Sequence, residues 1–134
     1  ARGVPLERLM ADIDQYGRAA AAASRRAREE SVLIEYCLLA GINDSEECAH
    51  ALGALLQPLR DLVFVNVIPY NPVPGKPYKA PSHEVTWHFG YVLMAHYGVR
   101  AHARRQLGAS VAAACGQLAK FSTDDIEDHR MEPQ

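Results

Sequence analysis

The sequence contains no long apolar run and very little cysteine. None of its hydrophobic stretches approaches the roughly 20 residues of a membrane-spanning helix, and no charged-then-apolar secretory signal opens the chain. The three cysteines form an odd and sparse set, which excludes a disulfide-stabilised scaffold. These absences predict a soluble protein of a reducing compartment. We expect the cytoplasm, with an organelle left open.

Several catalytic and metal-binding motifs are also missing. The sequence has no Cys-x-x-Cys or His-x-x-x-His pair, which argues against a zinc site. It has neither of the glycine-rich phosphate loops, Gly-x-x-x-x-Gly-Lys and Gly-x-Gly-x-x-Gly, nor the Gly-x-Ser-x-Gly turn of serine hydrolases. Phosphate-loop chemistry, dinucleotide binding and α/β-hydrolase chemistry are therefore not indicated.

Acidic residues are absent from a long internal stretch, although the net charge of the chain is only −2. No Asp or Glu occurs over residues 85–123, where the basic side chains are Arg100, Arg104, Arg105 and Lys120, and five acids follow before the end. Two interpretations stay open: an ordinary solvated face, or a basic surface that binds phosphates.

The chain is long and apolar enough for one globular domain, with 134 residues of which 49% are hydrophobic. Its pattern divides into a helix with an Ala/Arg-rich connection over residues 1–30, a β/α unit over 31–120, and an acidic tail over 121–134 that we expect to be flexible. Within the first two parts, helix and strand patterns alternate. The predicted fold class is therefore α/β, with β/α repeats around a parallel sheet.

Three segments are predicted to form parallel strands, and they cover residues 31–39, 62–68 and 99–104. The first is a continuous apolar run, typical of a strand buried on both faces, and the third is predicted near a sheet edge. Ligands bind at the carboxyl ends of such strands. The turn over residues 41–44, a proline-rich loop containing Asn71, and the segment that leads to Cys115 all fall there.

Five side chains are candidates for chemistry or for buried polar contacts. Cys115 lies between Ala114 and Gly116, so its thiol is either an accessible nucleophile or a small packing residue. Asn71 either contacts a polar ligand or satisfies its own turn. Glu35 lies inside a predicted strand and requires a partner or a cavity. Cys37 and Cys48 are predicted to pack in the core.

Three motifs in this order resemble one family. They are Ile34-Glu35-Tyr36-x-Leu38-Leu39-x-Gly41-Ile42-Asn43-Asp44-Ser45, Val65-Asn66-Val67-Ile68-Pro69-Tyr70-Asn71-Pro72-x-Pro74-Gly75, and Ala113-Ala114-Cys115-Gly116-Gln117-Leu118-Ala119. Over about residues 32–119 the chain resembles the C-terminal part of the radical S-adenosylmethionine RNA methyltransferases that methylate carbon 2 of adenine in ribosomal and transfer RNA. The resemblance implies the C-terminal half of a partial (β/α) barrel.

The resemblance also implies cofactors and residue roles. Cys115 matches the cysteine that accepts a methyl group from S-adenosylmethionine, and Asn71 matches an asparagine that contacts this cofactor. The family's [4Fe–4S] cluster and its second, resolving cysteine belong to a part of the protein ahead of this chain. Neither Cys37 nor Cys48 is therefore assigned to them. Ribosomal or transfer RNA is the implied substrate, with Arg100, Arg104 and Arg105 near it.

Two alternatives to this enzyme remain open. Ser110 stands where the family usually has an aspartate, which favours a degenerate homologue acting as a non-catalytic binding or self-association module. A thiol enzyme using Cys115 with His102 or His96 is the other. On the enzyme hypothesis, the chain alone is expected to be inactive without the missing half of its barrel. Its open sheet is expected to pair with another copy.

Overall fold

The computed structural model describes residues 3–23 and 32–105, together with the backbone of residues 118–120. Helices and strands alternate along the chain: α1 (Leu6–Ala23), β1 (Val32–Leu38), α2 (Glu46–Leu56), β2 (Val63–Pro69), α3 (His83–Tyr97), β3 (Ala101–Arg104) and β4 (Leu118–Lys120), with a short 3-10 turn at Gln57–Leu59. The predicted alternation of helices and strands is confirmed as far as β3, whereas β4 lies in a stretch for which no strand was predicted. Within the described residues, no helix is both long and apolar enough to cross a bilayer.

The sheet has the strand order β1-β2-β3-β4. The first three strands are parallel, as predicted, with Val32 opposite Val63 and Val65 opposite Ala101. β4 is a difference from the prediction, because it runs antiparallel to β3 with Leu118 opposite Arg104. β3 therefore has a neighbour on both sides, and the two edge strands of the described sheet are β1 and β4.

Short polar signals fix the ends of the two crossover helices. Ser45 is the N-cap of α2, where its hydroxyl accepts a hydrogen bond from the Cys48 amide, and Ser82 caps α3 by accepting from the Val85 amide. α3 ends at Gly98, whose φ of 66° is a left-handed conformation that glycine adopts without strain. Both crossover helices thus begin at a serine N-cap, and α3 ends at a glycine.

The core lies between one face of the sheet and helices α2 and α3. Val63, Val65 and Val67 alternate with less buried residues along β2 and are fully buried on this face. Phe89, Leu93 and other α3 residues pack against them, joined from α2 by Leu56 and Ala49. α1 lies against the margin of this core, where Gly17 packs on the Leu62 side chain.

The opposite face of the sheet carries no helix in the described part of the chain. This open face consists of alternate residues of the three parallel strands: Leu33, Glu35, Cys37, Phe64, Asn66, Ile68, His102 and Arg104. The prediction that β1 is buried on both faces is wrong, since Leu33 is 58% exposed and Glu35 and Cys37 are exposed as well. The apolar residues of β1 pack against the core on one face of the strand only.

Candidate functional site

The turn after β1 is held in shape by two side chains. The Asn43 Oδ1 atom accepts a hydrogen bond from the Leu39 amide at 2.7 Å, and its Nδ2 donates to the Cys37 carbonyl at 2.9 Å. The Asp44 carboxylate accepts from the Gly41 amide at 2.9 Å. Gly41 has a φ of 73°, which a side chain rarely permits. Asn43 and Asp44 therefore shape this turn, and Ser45 rather than Asp44 caps the helix.

The proline-rich loop after β2 is fastened beside that turn. The Tyr70 amide donates to the Leu38 carbonyl at 2.9 Å, and the Ala40 amide donates to the Lys79 carbonyl at 2.9 Å. The rings of Tyr70 and Tyr78 meet edge to face, with centroids 5.8 Å apart. Main-chain hydrogen bonds therefore fix the loop at both ends, at the carboxyl edge of β1 and β2.

Asn71 lies on this hydrogen-bonded loop. Its side chain is exposed and makes no hydrogen bond within the described residues, so it does not satisfy its own turn. The Asn71 side chain is therefore exposed at this edge, and its contact with a ligand stays a prediction. Its amide can donate and accept at the same time.

The segment that contains Cys115 lies outside the described residues, as does Ser110. The backbone on either side of it is described: β3 ends at Arg104, and β4 begins at Leu118 directly opposite Arg104. Both flanks of the segment therefore lie at the same carboxyl edge as Asn71. The structure brings two of the three predicted features together and places the flanks of the third beside them.

Arg100, Arg104 and Arg105 do not form one continuous cluster. Arg100 precedes β3 and its guanidinium donates to the Val63 carbonyl at 3.3 Å, near the amino ends of the strands. Arg104 and Arg105 are exposed at the opposite, carboxyl end. Of these three arginines, Arg104 and Arg105 lie at the edge that carries Asn71.

The two described cysteines occupy different sides of the sheet. Cys48 packs against the core from α2, as predicted, whereas Cys37 is exposed on the open face, which corrects its predicted burial. Within residues 3–23 and 32–105, no group of three His, Cys, Asp or Glu side chains could hold a metal ion. The described side chains therefore do not fit an iron–sulfur cluster.

The two histidines that are candidate partners of a thiol, His102 and His96, lie on opposite sides of the sheet. His102 lies on the open face, with its ring edge-on to Phe64 at a centroid distance of 4.4 Å. His96 lies near the end of α3, on the helical side, where its ring meets that of His50 at 5.1 Å. A single thiol cannot use both, and only His102 faces the open side of the sheet.

A row of polar residues crosses the middle of the open face. Glu35 and His102 of this row are candidates from the sequence, and Asn66 is not. Glu35 lies opposite Asn66, and Asn66 lies opposite His102. Asn66 Oδ1 is buried without a hydrogen-bond partner among the described residues. Glu35 needs no buried partner, because it is exposed. The signal for Asn66 was present as a single amide in the alternating run Val65-Asn66-Val67.

Two other features lie on the helical side of the sheet. A cleft of about 290 Å³ opens between the first turns of α2 and α3, with Asp44, Glu46 and Glu84 on its rim. Burial, and secondarily the charge of Cys48, raises the pKa of Tyr36 above its ordinary value of 10.0. Neither feature faces Asn71 across the open side.

Known proteins provide an independent comparison. No protein-family model matches the chain. It is 45% identical over 119 residues to the probable dual-specificity RNA methyltransferase RlmN of Desulforudis audaxviator, covering 89% of this chain and 34% of that protein. It is 48% identical over 87 residues to the protein of the same name from Caldicellulosiruptor saccharolyticus, covering 65% of this chain and 24% of that protein.

Two further matches agree with these. The probable dual-specificity RNA methyltransferase RlmN 2 of Protochlamydia amoebophila is 38% identical over 119 residues, covering 89% of this chain and 30% of that protein. The crystal structure of a radical SAM methyltransferase from Sphaerobacter thermophilus superposes with a TM-score of 0.65 at 37% identity, covering 85% of this chain and 30% of that one. The predicted fold class is confirmed. The chain spans about a quarter to a third of the length of these proteins.

Proposed function

Since this chain is related to one segment of the radical S-adenosylmethionine RNA methyltransferases, we propose that it is the C-terminal part of such an enzyme. The proposed reaction is methylation of carbon 2 of adenine in ribosomal or transfer RNA. The observation that carries the proposal is the meeting of Asn71 and both flanks of the Cys115 segment at one edge of a parallel sheet. The names of the relatives support RNA methylation, and the name of the neighbouring structure supports radical SAM methyl transfer.

Cys115 is proposed as the methyl acceptor. Its thiolate would attack the methyl carbon of S-adenosylmethionine, forming a carbon–sulfur bond as the sulfonium bond breaks and S-adenosylhomocysteine leaves. Leu118 is three positions after Cys115, so their Cα atoms are at most about 11 Å apart. This covalent tether supports a thiol near the end of β3 and therefore near the edge that carries Asn71.

Asn71 is proposed to orient the S-adenosylmethionine. Asn71 is exposed on a loop whose backbone is hydrogen-bonded to β1, so the backbone position from which its side chain extends is fixed. An amide can meet both the ammonium and the carboxylate of the methionine part. Arg104 and Arg105 are proposed to contact RNA phosphates, and Arg100 is expected to contribute less because it lies toward the other end of β3.

The rest of the barrel is proposed to come from the remainder of a longer protein, together with the [4Fe–4S] ligands. On this proposal the isolated chain is inactive. Anaerobic reconstitution of the chain with iron and sulfide should leave no stoichiometric cluster bound. A stable cluster held by this chain alone would contradict ligation elsewhere.

A chimaera tests the activity directly. The segment of the Desulforudis protein that aligns with this chain would be replaced by residues 1–119, and 2-methyladenosine in ribosomal and transfer RNA would be measured by mass spectrometry. We expect product from the chimaera, none from Cys115→Ala, less from Asn71→Ala, and wild-type levels from Ala54→Ser, a change at an exposed α2 position. An inactive chimaera beside an active parent would refute the proposal.

A non-catalytic binding or self-association module is the second candidate, and the open face favours it. β1 is a free edge in the described sheet, and Leu33 on it is 58% exposed. On this hypothesis the chain dimerises in solution, and Leu33→Lys abolishes the dimer because it places a charge in the contact. A monomer in sedimentation at high concentration would remove this candidate.

A further inference from the structure

The open face is graded in polarity along the strands. Toward the amino ends, Leu33 pairs with Phe64 in an apolar row, and the next row toward the carboxyl ends consists of Glu35, Asn66 and His102. Above it, Cys37 pairs with Ile68 and leads to the edge where Asn71 is displayed. The polar row therefore lies between an apolar row on one side and, on the other, a row of Cys37, Ile68 and Arg104.

One acceptor of this row has no hydrogen-bond donor. Asn66 Oδ1 is buried and has no partner in the described part of the chain, which is costly for an amide oxygen. Glu35 lies opposite Asn66 on the neighbouring strand, with the two backbones about 4.8 Å apart, and its carboxylate can only accept when ionised. A ligand group that donates two hydrogen bonds from one atom could bond to both acceptors.

We propose that Glu35 and Asn66 bind the exocyclic amino group of an adenine. That amino group presents two N–H donors from one nitrogen, which matches two acceptors on neighbouring strands. The aliphatic part of Ile68, above the row, can pack against the flat ring. The inference rests on the proposed function, in which adenine occurs both in the cofactor and in the RNA substrate.

The depth of the row suits a nucleoside that enters from the carboxyl edge. Asn66 lies three residues below Pro69, the last residue of β2, which corresponds to about 10 Å along the strand. An adenine held at this row by its amino group would therefore have its sugar near the loop that carries Asn71. The sugar, rather than the base, would then lie at the carboxyl edge of the sheet.

The row would also determine specificity. A purine with a 6-oxo group presents an acceptor where adenine presents a donor, and it would face the Glu35 carboxylate, which has no proton to donate when ionised. A site built around acceptors discriminates strongly against such a ligand because its own buried polar atoms stay unpaired. We therefore expect selection for 6-aminopurines over 6-oxopurines.

The experiment is an NMR titration of the ¹⁵N-labelled full chain with adenosine and with inosine. The wild-type chain should bind adenosine at least about tenfold more tightly than inosine, with the Asn66 side-chain amide among the shifted resonances. Asn66→Leu, which removes the buried acceptor, and Glu35→Gln, whose amide can donate to a 6-oxo group, should bring the ratio close to one, while Asn66→Asp, which keeps an acceptor and adds no donor, should retain it. Gln15→Leu, an exposed change on α1, serves as the matched control and should leave the ratio unchanged.

Equal affinity for the two nucleosides, failure to bind adenosine, or an unchanged ratio in Asn66→Leu would overturn the inference. Glu35→Gln keeps the test decisive if Asn66→Leu does not fold, because Glu35 is exposed. Weaker S-adenosylmethionine binding by the variants would identify the cofactor's adenine. Loss of preference for adenine over hypoxanthine in a short RNA, with cofactor binding intact, would identify the substrate base. An active chimaera with no adenosine selectivity here would reject this inference and leave the proposed function standing.

Discussion

The ring of Tyr97 lies directly against the backbone of Gly53, at the point where α3 crosses α2. Gly53 is buried, and a Cβ atom in its place would collide with the Tyr97 ring carbons. The Tyr97 hydroxyl meets the His50 Nδ1 atom at 2.8 Å, one turn earlier on α2. Gly53 therefore permits a close contact between α2 and α3, and the hydrogen bond between His50 and Tyr97 stabilises this contact.

Gly53→Ala should destabilise the protein, although alanine favours a helix over glycine by about 1 kcal/mol. Displacing the Tyr97 ring costs overpacking energy and the hydrogen bond to His50, so we expect a net loss of roughly 2 kcal/mol. Urea unfolding followed by circular dichroism measures it. Gly3→Ala, where nothing lies within 4 Å, is the control and should change little. Equal stability of the two variants would show that the ring moves without cost.

Asn43→Ala should cost about 1–3 kcal/mol, because it removes two hydrogen bonds and leaves the Leu39 amide without its acceptor. Asn71→Ala is the matched control, since it deletes the same amide from an exposed position with no such bonds. Thermal unfolding of both variants separates the structural asparagine from the one available to a ligand. A larger loss in Asn71→Ala would contradict this division.

Alkaline pH should weaken the fold through Tyr36, which stacks on Phe89 with centroids 5.4 Å apart. Burial raises the pKa of Tyr36 above 10.0, so the folded state holds the phenol proton more tightly than the unfolded state. Its contribution is fully present below pH 10 and is lost as pH rises through the raised pKa.

The measurement for Tyr36 is urea unfolding at several pH values from 8 to 11. The wild-type chain should lose stability above pH 10 more steeply than Tyr36→Phe, which has no phenol to ionise. Parallel pH profiles in the two proteins would show that the phenol does not contribute.

Alkylation should distinguish the two described cysteines. Brief treatment of the native chain with iodoacetamide, followed by peptide mass spectrometry, should modify Cys37 at least about tenfold faster than Cys48, because Cys37 is exposed on the open face. In urea the two rates should converge. Protection of Cys37 in the native chain would instead indicate that another copy or another segment covers the open face.

Local sequence signals predicted most of the secondary structure. Ser82 and Gly98 bound α3, and such caps depend on residues within a single turn. The run from Val63 to Pro69 could form only a strand, given its β-branched residues and its length. The placement of Asn71 and the turn over residues 41–44 at one edge followed from the parallel order of the strands. The motif resemblance, which the relatives confirm, depended on side-chain identities alone.

The sequence by itself determined the order of elements, the parallel sheet and the edge at which ligands are expected. Only the tertiary structure decided which face of β1 is covered, and so that Glu35 and Cys37 are exposed. It alone aligned Glu35 with Asn66 and left Asn66 Oδ1 buried without a partner. The physical reason is that a strand's own pattern records its alternation, whereas burial and register arise from neighbours distant in the chain.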